Sequence, residues 1–308
     1  MPPLIAVGEC MLELAREGER WRLGHAGDTF NTVLYLCRLG VPVAYLTALG
    51  ADPFSQEMRA SWLREGIDVS LVLTDQARLP GLYAIRNDPD GERHFYYWRE
   101  RSAARHLFTL PGIDAAVERA CRADQLYLSG ITLSIFNDPE RTRLIEIAAA
   151  VRARGGQVIF DPNYRPAGWP RASAARAAIE ALAPMVSVAL PTYADEAALF
   201  GDATPEHTAE RWRCWGAHEV IVKLGSQGCL VATGEQREFV SVARPVTVID
   251  ATGAGDAFNA AYLAARLADR TPIQAARAAH LLAAEVIQHP GAILPVDRVM
   301  ALKSLLDS

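Results

Sequence analysis

Seven residues late in the chain, Asp250-Ala251-Thr252-Gly253-Ala254-Gly255-Asp256, have the types and spacing that could do chemistry. A β-branched run, Val246 to Ile249, ends at Asp250 and is expected to be a strand. A small glycine-rich turn follows, and Asp256 opens an apolar helical segment that reaches Leu267. Small residues let backbone come close to a ligand. The first N–H groups of a helix lack intrahelical acceptors, and the helix dipole adds a partial positive charge. An anion such as a phosphate belongs at that turn. A carboxylate one step inside the helix, held beside the phosphate, can take a proton from an attacking hydroxyl. The plainer reading is a strand, a turn and a capped helix packed through alanine.

The elements that must position this turn alternate. Leu4 to Val7 reads as a buried strand, Thr29 to Leu39 as a helix ending at Gly40, Val43 to Leu49 as a strand, Ser55 to Glu65 as a helix and Val69 to Leu73 as a strand. That order predicts a parallel sheet with helices on both faces. The pattern then breaks. Gly81 to Arg86 and Arg93 to Trp98 alternate around Asn87-Asp88-Pro89-Asp90-Gly91, which predicts a β-hairpin able to serve as a flap. Alternation resumes with strands at Gln125 to Leu128, Gln157 to Asp161, Val186 to Leu190 and Glu219 to Leu224. Helices are expected over Pro139 to Arg154, Ala172 to Leu182, Ala194 to Phe200, Pro205 to Cys214 and Pro272 to Gln288, with a short one at the tail. A second hairpin is expected around Thr233-Gly234.

Ligands of open parallel sheets sit beyond the carboxyl ends of the strands. Polar or glycine-rich residues follow several of the expected strands: Gly8-Glu9, Asp161-Pro162-Asn163-Tyr164-Arg165, Pro191-Thr192-Tyr193-Ala194-Asp195-Glu196, and Gly225-Ser226-Gln227-Gly228. There is no P-loop, no G-x-G-x-x-G after the first strand, no G-x-S-x-G elbow and no H-E-x-x-H. The chain has 308 residues, half hydrophobic and 22% charged, which suits one large α/β domain, with or without a small appendage, or two domains. A net charge of −5 argues against a broad nucleic-acid face. No apolar run is long enough to span a bilayer, and no signal-peptide pattern is present, so the cytoplasm is the expected compartment. The five cysteines form no C-x-x-C pair, and the seven histidines show no metal spacing. His25 and His289 are expected to pack rather than react.

Thr252-Gly253-Ala254-Gly255-Asp256, preceded by Asp250, closely resembles the signature of the ribokinase-like (PfkB) sugar kinases, and the resemblance extends over essentially the whole chain. Gly27-Asp28-Thr29-Phe30-Asn31-Thr32 resembles the family's sugar-binding turn, and Val222 to Gly228 its nucleotide-side strand and loop. Ala251 departs from the threonine often found there. The resemblance implies one ribokinase-like α/β domain over 1–308, with a mostly parallel sheet flanked by helices. A small β lid would be formed by about 10–24 and 79–101. It implies Asp256 as general base, with Gly253 in the catalytic turn and the N–H groups of Ala254, Gly255 and Asp256 around the transferred phosphoryl of ATP. Thr192, Lys223, Gly225, Ser226 and Gly228 would bind the nucleotide, and Gly27, Asp28 and Asn31 the sugar. Mg²⁺ would accompany the nucleotide, and Asp250 would help to hold K⁺. The family's Asn-x-x-Glu falls on Thr192-x-x-Asp195, so Asp195 or Glu196 would carry the metal role.

Within the family, Leu79 to Tyr83, Tyr96 to Arg99 and Asp161 to Arg165 resemble the members that phosphorylate 2-keto-3-deoxygluconate. A buried sugar carboxylate needs a charged partner, best an arginine fork. Arg99 and Arg165 are the candidates, with Tyr83 and Tyr97 as hydroxyl donors. Strand alternation puts Tyr97 and Arg99 on one face and Tyr96 and Trp98 on the other. The expected partners are a sugar acid and ATP, with a second copy of the chain through the lid. A kinase of a neutral sugar such as fructose or ribose, and a non-catalytic nucleotide or sugar binder, remain as alternatives.

Overall fold

Leu4–Val7 is apolar at every position and buried at every position. Its alternate side chains feed two separate cores: Ile5 and Val7 join one, Leu4 and Ala6 the other. A strand covered on both faces in this way belongs inside a parallel sheet. In the computed structural model, which describes residues 4–87 and 93–306, that sheet has nine strands. Their spatial order is Gln236–Val240, Cys229–Thr233, Glu219–Lys223, Val188–Ala189, Gln157–Asp161, Gln125–Ser129, Leu4–Val7, Val43–Gly50 and Val72–Asp75. All neighbours pair in parallel except the first three, which form an antiparallel meander.

A second sheet has four strands, ordered Arg20–Ala26, Met11–Glu17, Leu82–Asn87 and Arg93–Trp98. Its register sets Tyr83 opposite both Glu13 and Tyr97. The hairpin turn expected over 87–91 lies mostly outside the described residues.

Several expectations change. Val246 to Ile249 is not a strand: Val248 and Ile249 are exposed. The amides of Ile249 and Asp250 donate to the Ile287 carbonyl, at 2.8 and 3.1 Å. The Ile287 carbonyl takes the amides that a sheet ladder would use, which ties the β-branched run to the end of helix Pro272–Val286 instead. The strand expected over Val69 to Leu73 forms at Val72–Asp75 instead. Asp68 is tied to Val43 and Tyr45, and Val72 N turns back onto Val69 O at 3.0 Å, which delays the strand. Helices at Ile113–Ala120 and Gly130–Ile135 and a 3₁₀ turn at Ala103–Thr109 were not foreseen. The helix at 130 is short but has a capping box, with Ser129 and Thr132 satisfying each other's amides.

Candidate active site

The late turn is built from the backbone upward. Gly253 caps helix Ala254–Leu267 with a φ of 75°, and a Cβ added there would lie 2.7 Å from the Ala292 Cβ. Only glycine suits both demands. Asp250 fastens the turn from behind by accepting the amides of Thr252, at 3.0 Å, and Gly291. The first N–H groups of the helix are thereby presented to the cleft. Asp256 is buried in the first turn of that helix, and its Oδ2 accepts Asn31 Nδ2 at 2.8 Å. Burial and then the nearby Asp28 push its carboxyl up to about 8, against the stabilising bond from Asn31. A carboxylate poised there suits proton abstraction near neutral pH.

On one side of Asp256 lies a closed polar network. Lys223 Nζ donates to Asp161 Oδ2 at 2.8 Å and to Asn259 Oδ1 at 3.1 Å. Asn259 Nδ2 in turn donates to Asp161 Oδ2 at 2.6 Å and to the Tyr127 hydroxyl at 3.2 Å. Lys223 also borders Gly255, whose added Cβ would stand 3.7 Å from Nζ. Beyond them opens a cavity of about 610 Å³ lined by Thr192, Gly225, Ser226 and Gly228, with Phe258, His280 and Ile287 as its apolar wall. That volume falls in the range of cofactor and nucleotide pockets.

On the other side stand the early turn and the small sheet. Gly27 begins helix Asp28–Arg38, and a Cβ there would strike the Glu9 carbonyl oxygen. Asp28 Oδ2 accepts Asn163 Nδ2 at 3.1 Å, and Ser129 also bonds to it. Desolvation raises the Asp28 carboxyl. Arg99 is paired through Nη2 with the buried Glu9, while its Nε has no partner. Tyr97 lies within electrostatic reach of Arg99, Arg165 and Asp28: burial raises its phenol, and the two arginines act against that rise. Arg165 Nη1 donates to Asp195 Oδ2 at 3.1 Å.

Asp28 lies within electrostatic reach of Asp256, the helix N-terminus and a fixed lysine stand beside them, and a nucleotide-sized cavity follows. The pfkB family carbohydrate kinase model matches residues 2–298. The chain belongs to the pfkB family of carbohydrate kinases. The 2-dehydro-3-deoxygluconokinase of Dickeya dadantii is 41% identical over 302 residues, covering 96% of this chain and 97% of that one. A crystal structure of a PfkB protein from Polaromonas sp. JS666 is 28% identical with a TM-score of 0.85, covering 98% of this chain and all of that one. The fold also matches a fructokinase from Vibrio cholerae solved with fructose, ADP and calcium ion, at 24% identity and a TM-score of 0.83, covering 97% of this chain and 98% of that one.

In this pfkB kinase the structure brings together Asp28, Asn31, Asp256, Tyr97 and Arg99 on one side, and Thr192, Lys223, Gly225, Ser226 and Gly228 on the other. Two expected residues behave differently. Glu196 turns away from the cleft: it is fully buried and accepts Arg211 Nη2 at 2.7 Å and Trp212 Nε1 at 3.0 Å. It serves the packing of helix Pro205–Cys214, and burial raises its carboxyl to about 7. The Tyr83 hydroxyl donates to Glu13 and forms the floor beneath Tyr97, with ring centroids 5.9 Å apart. As expected, His25 packs on Phe30 and Trp62, and His289 bonds the Glu285 carbonyl.

Among the described residues no group of three or more His, Cys, Asp or Glu could hold a metal alone. Asp195 remains as a single carboxylate within electrostatic reach of Lys223 and Asp161. One carboxylate plus phosphate oxygens is the usual setting for Mg²⁺ beside a nucleotide.

Ser129, Tyr127 and Asn259 are site residues that the sequence does not single out, and Asp161 and Asn163 stand out there only as part of the polar stretch after their strand. Asn259 did carry a signal, as a polar residue three places after Asp256 in an otherwise apolar helix. Tyr127 carried none, because a tyrosine in an apolar strand reads as core.

Proposed function

We propose that this chain is an ATP-dependent kinase of 2-dehydro-3-deoxy-D-gluconate, yielding 2-dehydro-3-deoxy-6-phosphogluconate and ADP. The observation that carries the choice of sugar is Arg99. Its guanidinium is largely buried, fixed by Glu9 through one nitrogen, and keeps an unpartnered Nε beside Tyr97. A neutral sugar gives no reason to hold a guanidinium in that place, whereas a sugar carboxylate does. The likeness to the Dickeya dadantii enzyme points to the same substrate.

In this reading the sugar lies across Asp28 and Asn31, with its carboxylate toward Arg99, Tyr97 and Arg165 and its terminal hydroxyl at Asp256. Asp256 takes the hydroxyl proton. The amides of Gly253, Ala254, Gly255 and Asp256 receive the charge of the migrating phosphoryl, and Lys223 adds a fixed cation beside Gly255. Gly225, Ser226, Gly228 and Thr192 hold the nucleotide. Mg²⁺ bound with it would neutralise phosphate charge, with Asp195 as the chain's contribution. The loop that Asp250 fastens is where K⁺ would act.

The small sheet is read as the lid. Its outward Tyr96 and Trp98, with Leu79, are more than half exposed and suit pairing with a second copy. Among the described residues no helix is long and apolar enough to cross a membrane. We place the enzyme in the cytoplasm.

The test is a panel of sugars and sugar acids assayed with Mg-ATP. The expected result is highest kcat/KM for 2-dehydro-3-deoxy-D-gluconate. Faster turnover of fructose or ribose would replace this assignment with a neutral-sugar kinase.

A further inference from the structure

The five residues Asp161 to Arg165 touch every part of the cleft. Asp161 holds Lys223 and Asn259 on the nucleotide side. Asn163 has a φ of 35°, held by its amide bonding to Asp161 Oδ1 at 3.1 Å, and it reaches Asp28 on the sugar side. Arg165 then leaves the loop with its side chain bonded to Asp195 and within electrostatic reach of Tyr97. One nitrogen, Nη1, bonds its neighbour's carbonyl at 2.8 Å and Asp195 Oδ2 at 3.1 Å. Its charge is felt by Tyr97, the sugar-side phenol. Asp195 in turn feels Lys223 and Asp161. The ion pair is uneven: the Arg165 side chain is 56% exposed and that of Asp195 21%. The arginine is therefore the mobile member, able to leave without burying an unpaired charge of its own.

We propose that Arg165 is a positioning residue that couples the two halves of the cleft. With no ligand bound it rests on Asp195. A divalent cation arriving with nucleotide phosphates competes for Asp195, and the released guanidinium turns to the carboxylate of the sugar acid. The coupling rests on the substrate reading given above. Because it is an equilibrium between two partners of one arginine, it is reciprocal: Mg-nucleotide tightens sugar-acid binding by the factor that the sugar acid tightens Mg-nucleotide. An exposed ion pair sets the scale, so the factor is about three to five.

Titration calorimetry of the full chain with 2-dehydro-3-deoxy-D-gluconate tests this without turnover. For the unsubstituted chain, Mg²⁺ plus a non-hydrolysable ATP analogue should lower the sugar-acid Kd about three- to fivefold. The analogue with EDTA should not. Asp195→Asn should lower the nucleotide-free Kd by a similar factor, because Arg165 has lost its competing partner. Asp195→Ala should do the same. A purely structural Asp195 would leave that Kd unchanged or raise it, and either result overturns the coupling. Absence of sugar-acid binding under every condition overturns the substrate assignment itself, a distinguishable failure.

Discussion

Asp256, Lys223, Asp161 and Asn259 are all buried, and each is held by at least one side-chain hydrogen bond to another member of the cleft. Tyr97, at the opposite end, is 45% exposed on the last strand of a four-stranded sheet and touches mainly other aromatics. The end proposed to handle phosphate is prearranged by the large fold, as electrostatic stabilisation of a transition state requires. The end proposed to read the sugar rests partly on a thin sheet with an open outer face. Its arginines are each tied to one carboxylate, Glu9 or Asp195, and so have donors left for a ligand.

Substitutions at the two ends should therefore separate. Asp256→Asn is expected to lower kcat about 10³-fold with little change in Kd for nucleotide, measured by steady-state kinetics and calorimetry. It should also stabilise the fold. The Asp256 carboxyl sits near 8 in the folded chain, far above the ordinary carboxylate value, so the folded state binds an extra proton between those pH values. Stability contributed by this group is present at low pH and declines as pH rises toward 8. Thermal melts should show the Asp256→Asn variant gaining over the unsubstituted chain by on the order of 1 kcal/mol or more at pH 8, and by less at pH 5. Equal melting curves at pH 8 would contradict the buried charge.

Lys223→Met comes next, with kcat reduced about 10²-fold and the KM for sugar nearly unchanged. A change confined to sugar KM would move Lys223 to the other end of the cleft. Arg99→Lys keeps the charge opposite Glu9 but loses the planar fork. It should raise the KM for the sugar acid about tenfold while leaving kcat within about twofold. The smallest effect is a shift of profile. Asn31 lowers the Asp256 carboxyl by donating to it, so Asn31→Ala should move the rising limb of kcat/KM to higher pH, by roughly half a unit to one unit. A limb that stays in place would detach the pH profile from Asp256.

The same contrast explains what could be read from the amino-acid order. Strands and helices of the large sheet follow their apolar periods, and Gln157–Asp161, Ala172–Leu182 and Pro205–Cys214 fall where the pattern puts them. The turn at Gly253 was legible because glycines, a threonine and two aspartates crowd into seven residues. Its preceding strand was not, because β-branched residues report a preference for extension but not whether a free edge awaits them. Asp195 and Glu196 are chemically alike and adjacent, yet helix geometry sends one to the cleft and the other to Arg211. Nothing local distinguishes them. The Asp161–Lys223–Asn259 network joins residues 62 and 98 positions apart, and only the assembled sheet brings them together.

The bond from Asn31 to Asp256 joins positions 225 residues apart, and the wall behind Gly253 is Ala292. On the ribosome, the sugar-side turn is therefore among the first parts made, and the base with its support among the last. A nascent chain that has already folded its early strands still lacks the proton acceptor and the cradle beside it. In the proposed mechanism, phosphoryl transfer therefore waits until nearly the whole polypeptide has emerged.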